Sequence, residues 1–220
     1  MLEAELVGNL NYYLQQKGVL YSNELRMGIG IPDITINIGA NRRLKPLDDY
    51  FMLSILAYVS KMKEVTFFQI KDEFTLGMEK VKRYVSTLAK LYLVEVKKTV
   101  VRILKSISSV KLGTTISIEA KLKDWKGACL QAQRYLCFSD YSYVVLPSEK
   151  IKNVDPGLFI AAGIGLLSID GIKVCEVIPA IKSTSCDFIL KYISTSKIIK
   201  NNTRTVKKHL RPNVFSGYRQ

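Results

Sequence analysis

Two stretches decide the fold: Ile31-Pro32-Asp33-Ile34-Thr35-Ile36-Asn37-Ile38 and, more than 80 residues downstream, Thr114-Thr115-Ile116-Ser117-Ile118-Glu119-Ala120-Lys121-Leu122. Both alternate as a half-buried strand does, with successive side chains on opposite faces. In the first, Ile34, Ile36 and Ile38 share one face and Asp33, Thr35 and Asn37 the other. In the second, Glu119 and Lys121 project together while Ile118 and Ala120 point away. The reading therefore predicts two strands, Pro32–Ile38 and Thr114–Leu122, each carrying charge on the face opposite its isoleucines.

Working outward, Leu6, Leu10, Tyr13 and Leu14 recur at helical spacing over Glu3 to Gln16, and Gly18 is a plausible stop. A short strand is expected at Glu24–Gly30. Beyond the second strand, Trp125 to about Phe138 reads as a helix, with Trp125 packing over the strand. Tyr141–Leu146, Gly165–Ile169 and Lys173–Ile178 read as strands, the last two joined by an Asp170-Gly171 turn. Between the two deciding stretches the pattern turns helical, at Leu47–Met62, Thr66–Phe74 and Met78–Leu91. Leu93–Val96 and Thr99–Leu104 then flank Lys97-Lys98. Three helices followed by a basic-tipped hairpin resemble a winged helix-turn-helix module, with Gly77 near the turn into the third helix. The expected organisation is a core of residues 1–44 and 109–182, a winged-helix insertion at 45–108, and a basic tail at 183–220, either solvated and partly disordered or an arm along phosphates.

The chain has 220 residues, 33 Lys and Arg against 19 Asp and Glu, and a net charge of +14. A balance of 48% apolar and 24% charged residues suits a folded core and excludes disordered and collagen-like chains. The positive excess favours a polyanionic partner. No apolar run approaches the roughly 20 residues that span a bilayer, and Glu3 and Glu5 stand where a secretory signal would be basic, so a cytoplasmic protein without a membrane partner is expected. Four cysteines are too few and too dispersed for a zinc knuckle or disulfide scaffold and read as reduced, packed thiols. The single histidine, His209, excludes a His-based triad. Gly163-Ile164-Gly165 lacks the third glycine of a dinucleotide loop.

Pro32-Asp33, Glu119-x-Lys121 and Gln131-x-x-x-Tyr135, taken in chain order with their strands and helices over roughly residues 1–40 and 112–180, resemble the PD-(D/E)xK nuclease superfamily. The resemblance implies a restriction-endonuclease-like mixed sheet flanked by helices. Its signature strands normally lie close in sequence, and the inserted winged helix accounts for the gap here. It implies a Mg2+-dependent deoxyribonuclease, with Mn2+ as the alternative ion and DNA as partner. Asp33, Glu119, Lys121, Gln131 and Tyr135 would be catalytic. Asp33, Glu119, the Ala120 carbonyl and an acid of the first helix, Glu5 in preference to Glu3, would bind metal.

Two carboxylates on adjacent strands are hard oxygen donors of the kind Mg2+ takes while keeping waters and phosphate oxygens. Lys121 can orient a water or offset charge on the phosphorane. Lys80, Lys82, Arg83 and Lys90 on the presumed recognition helix, with Lys97 and Lys98 on the wing, are the expected DNA contacts. Paired incision would require a two-fold homodimer. The alternative is a catalytically inactive DNA-binding or regulatory protein that retains the nuclease fold.

Overall fold

In the computed structural model, Asp33 and Glu119 come together because strand Ile34–Ile38 pairs with strand Thr114–Ala120. Ile34 lies opposite Ile118 and Ile38 opposite Thr114 in an antiparallel ladder. The structure describes residues 2–41, 44–105, 110–202 and 214–215. In chain order the elements are α1 (Glu3–Lys17), β1 (Leu20–Asn23), β2 (Ile34–Ile38), α2 (Tyr50–Met62), β3 (Glu64–Thr66), α3 (Phe67–Glu73), α4 (Met78–Lys90), β4 (Val94–Lys97) and β5 (Val100–Ile103). There follow β6 (Thr114–Ala120), α5 (Trp125–Arg134), a 3-10 turn (Tyr135–Cys137), β7 (Tyr141–Pro147), a second 3-10 segment (Ser148–Asn153), α6 (Pro156–Ala162), β8 (Gly165–Asp170), β9 (Lys173–Ile178) and α7 (Phe188–Asn201). They fall into two compact units: Met1–Arg42 with Leu112–Gln220, and Arg43–Lys111.

The first unit is α/β. Its six-stranded mixed sheet runs β1-β2-β6-β7-β8-β9, parallel only at β6–β7 and β7–β8. Both parallel pairs are joined through helices, as parallel strands require. One sheet face carries Ile34, Ile36, Ile116, Ile118, Val145 and Leu167, and on it sit Leu6, Leu10 and Leu14, fully buried and spaced to form one stripe of α1. Burying each leucine contributes about 2 kcal/mol. The other face packs Val144, Leu146 and Leu166 against Ala128, Cys129 and Ala132 of α5 and Phe159 of α6. Trp125 packs on Phe159 there, ring centroids 6.2 Å apart, so it lies on α6 as well as near the strand.

That second face is unusually polar, with Thr35, Asn37, Thr115, Ser117 and Glu119 all buried. Hydrogen bonds offset much of this cost, although the Thr35 hydroxyl has no partner among the described residues. The Asn37 amide donates to the Leu112 carbonyl at 2.9 Å and to Thr115 Oγ1 at 3.1 Å. Gly113, at φ 70°, is where the chain rejoins the sheet; a Cβ there would run into the Ile38 carbonyl.

Three expectations need correction. The first strand is Leu20–Asn23, not Glu24–Gly30, which is a loop. Glu24 turns the chain with φ 47°, Gly28 lies at φ 83°, and the loop closes through the Glu24 amide donating to the Asp33 carbonyl. Helix α6, capped by Asp155 and followed by Gly163 at φ 69°, fills an interval in which the sequence pattern predicts no element.

Nor is the tail simply solvated. Residues 188–201 form α7, with Tyr192, Ile193, Ser194, Thr195, Ser196 and Ile198 buried. Lys191 explains why counting charges misleads: its ammonium lies 2.6 Å from Asp140 Oδ2, an oxygen that also accepts from the Thr115 amide at 2.7 Å. Arg204, Lys207, Lys208, His209, Arg211 and Arg219 lie outside the described residues.

The second unit holds α2, α3 and α4 with a three-stranded antiparallel sheet, β3-β5-β4. The sequence predicts two of these strands; Glu64–Thr66 supplies the third by pairing with Val100–Arg102. Helix α3 starts at Thr66, whose Oγ1 accepts from the Gln69 amide while the Gln69 side chain accepts from the Thr66 amide. Leu53, Ile55, Leu56, Val59, Ile70, Val81, Val85, Leu88 and Val101 are buried in this unit.

Because Asp140 is the buried anchor of α7, the Asp140→Ala substitution should destabilise the protein by about 3 kcal/mol, since it strands the Lys191 charge. Urea unfolding of the two proteins measures the difference.

Candidate functional site

Asp33 stands immediately before β2 and Glu119 near the end of β6, so the antiparallel register carries both carboxyls to one end of the ladder. Asp33 Oδ2 accepts from the Ala120 amide at 2.7 Å. Glu119 is 2% exposed and is held from both sides. The Tyr135 hydroxyl donates to its Oε2 at 2.7 Å, and Lys121 Nζ lies 3.1 Å from its Oε1. The Tyr135 hydroxyl also lies 3.3 Å from the Ile31 carbonyl. Lys121 Nζ lies 3.8 Å from Glu3 Oε2.

The structure thus brings together Asp33, Glu119, Ala120, Lys121 and Tyr135. Tyr135 reaches Glu119 from the 3-10 turn at the end of α5, not from the helix body. Gln131 lies one turn upstream on α5, half-buried, and no hydrogen bond is seen from its side chain to another described residue. Of the two acids on α1, Glu3 approaches Lys121, whereas the Glu5 carboxylate accepts from the Leu2 amide at 2.8 Å and serves the start of the helix. Glu5 stands at the third helical position, where an acid is well placed to fold back on the helix's own first amide.

The electrostatics follow from burial. Desolvation raises the Asp33 carboxyl above its ordinary value, against the Ala120 amide and Lys121, and nearby Glu3 and Glu24 add to the rise. Glu119 is raised by desolvation and by Asp33, while Tyr135 and Lys121 pull it down. Burial depresses the Lys121 ammonium, but Glu119, Asp33 and Glu3 outweigh it and leave the group above its usual value. Tyr135 is pushed far above the phenol range by burial and by its bond to Glu119. It stays a hydrogen-bond donor at any working pH.

Asp33 and Glu119 are two hard oxygen donors, close enough to repel and partly stripped of water. A divalent cation would relieve that repulsion, so the donor set fits Mg2+, which binds through one or two carboxylates and keeps several waters. Among the described residues no group of three or more His, Cys, Asp or Glu is arranged to hold a metal ion. Ala120 enters the site by its amide. The four cysteines are free, and burial pushes the Cys186 thiol up to about 11, which keeps it protonated.

In the second unit α4 presents Lys82, Arg83 and Lys90 to solvent. Lys82 is shared with Glu79 at 2.9 Å, and the Lys80 ammonium rests 5.2 Å from the centre of the Phe51 ring. Lys97 pairs with Glu95 at 3.3 Å, and Lys98 takes φ 55° at the exposed hairpin tip. Arg102 is bound to Glu64 at 2.6 Å.

No protein-family profile and no curated protein matches the chain. Among solved structures, a protein of unknown function from Silicibacter pomeroyi is similar over 41% of this chain and 59% of its own, at 21% identity and a TM-score of 0.34. The chain therefore spans less than two thirds of that protein. Among the described residues no helix is long and apolar enough to cross a membrane.

A raised folded-state pKa stabilises the fold only where the carboxyl is protonated, and that stability is lost as pH rises through the folded value. Asp33→Asn should therefore melt at a higher temperature than wild type at pH 8 in EDTA. The two should converge as pH falls below the ordinary aspartate value of 3.8. Differential scanning calorimetry across that range checks both limbs.

Proposed function

We propose that the protein is a Mg2+-dependent DNA nuclease of the PD-(D/E)xK type, with Mn2+ as the alternative ion. The observation that supports it is the convergence of Asp33, Glu119 and Lys121 from two strands separated by an entire inserted unit. Burying two carboxylates together costs stability, and that cost is understandable if a cation and a phosphate are what the site takes up.

Asp33 and Glu119, with the Ala120 carbonyl, would hold the metal. When bound it would supply Lewis-acid polarisation of a phosphoryl oxygen and a water of lowered pKa. Tyr135 locks one Glu119 oxygen by donating to it, and the Ala120 amide does the same for Asp33, so neither carboxylate must reorganise on binding substrate. Lys121, fixed against Glu119, keeps a full positive charge with which to offset charge growing on the scissile phosphate. Glu3 helps hold that ammonium in place.

The second unit is read as a winged helix that adds DNA affinity. Lys82, Arg83 and Lys90 on α4, and Lys97 and Lys98 at the hairpin tip, are the cations exposed for phosphate binding; Lys80, folded over Phe51, contributes less.

Glu119→Ala should lower Mg2+-dependent cleavage of plasmid and linear duplex by at least about 100-fold. Binding in a gel shift should stay within about threefold of wild type, since affinity comes mainly from phosphates bound elsewhere. Cleavage by the variant at the wild-type rate would overturn the mechanism. A wild-type gel shift without nicking in Mg2+ or Mn2+ would identify a binding protein that retains the fold. Lys82→Ala/Arg83→Ala/Lys90→Ala should weaken DNA binding uniformly across sequences and flatten the dependence of log K on log salt by about 0.9 for every phosphate left unneutralised.

A further inference from the structure

The loop from Glu24 to Asp33 is held at several points. Its Leu25 side chain is buried with Leu20 and Ile198, the Arg26 carbonyl accepts from Lys197 Nζ at 2.7 Å, and the Glu24 amide donates to the Asp33 carbonyl at 3.1 Å. Inside it, the Met27 amide turns back toward the Gly30 carbonyl at 3.4 Å across Gly28. Gly30 presses against Tyr135 so closely that a Cβ there would come within 2.7 Å of the ring, and the next carbonyl, Ile31, meets the Tyr135 hydroxyl.

With Gly30 seated on Tyr135, its two neighbours face outward: Ile29 is 46% and Ile31 49% exposed. Two stiff, β-branched apolar side chains thus stand on a braced loop, beside the tyrosine that holds Glu119 and within four residues of Asp33. Arg26, on the same loop, is exposed, and the whole chain carries +14. A braced apolar tip with Arg26 on the same loop is suited to a base stack flanked by phosphates, where apolar side chains enter between bases while basic groups take the backbone.

We propose that Ile29 and Ile31 form a wedge that unstacks bases of duplex DNA beside the site, so that the substrate is duplex opened locally. The inference rests on the nuclease reading for the fate of the exposed strand, but strand opening is measurable without cleavage. A blunt hairpin duplex carrying 2-aminopurine next to its terminal pair is mixed with the full-length protein in Ca2+, and binding is scored by gel shift in the same buffer. Wild type should raise the fluorescence several-fold. Ile29→Ser/Ile31→Ser should bind within about threefold of wild type, its phosphate-binding cations being intact, yet give no rise. Ile29→Leu/Ile31→Leu, which keeps the apolar bulk, should restore it.

Bound wild type without a rise, or a serine variant that matches wild type, overturns the wedge. Cleavage in Mg2+ is scored separately: fluorescence without cleavage upholds the wedge and sinks the nuclease, and cleavage without fluorescence does the reverse. Failure of wild type to bind DNA at all overturns both.

Discussion

The β2–β6 ladder is the constraint on which the first unit depends. It must form across an intervening segment long enough to fold by itself, and closing so long a loop costs entropy that grows only slowly with length. Local pairings, β1 with β2 and β8 with β9, can form without it. The site cannot, because Asp33 and Glu119 meet only when Ile34 faces Ile118. A slip of one residue between β2 and β6 would put the two carboxyls on opposite faces of the sheet, Asp33 on the α1 side with the leucine stripe.

Once the register is set, the two faces of the sheet divide the work. The α1 face is predominantly apolar and supplies much of the stability. The opposite face is polar near the site, and most buried groups there have a named partner, the Thr35 and Ser142 hydroxyls excepted: Asn37 with Leu112 and Thr115, Ser117 with Ser139, Asp140 with Lys191 and Thr115. Glu119 sits at the end of this polar strip, which is why its carboxylate can be almost entirely enclosed and still be held by Tyr135 and Lys121.

Much of the sheet is legible in the sequence because the strands announce themselves by alternation: Ile34, Ile36 and Ile38, or Ile116 and Ile118. Leu20–Asn23 escapes such a reading because four residues give too little alternation to register, while the glycines of the adjoining loop pass for a strand end. Helix α7 is hidden by its composition. Lys191, Lys197 and Lys200 read as a solvated face, and only the fold reveals that Lys191 is neutralised by Asp140, 51 positions away. In the site, the spacing of Glu119 and Lys121 dictates their common face. Which acid of α1 turns toward Lys121 depends on how Glu5 is consumed at the helix start, and no periodicity encodes that.

The inserted unit leaves β2 after Ile38 and returns to β6 at Thr114, and these two residues lie opposite one another in the ladder. Its root is therefore no wider than an ordinary hairpin connection, with Asn37 and Gly113 already shaping the corner. Topologically the unit is a side branch: a turn of about two or three residues could bridge the same gap, so the sheet could be inherited with a different module, or with none, while its strand order and pairing stay the same.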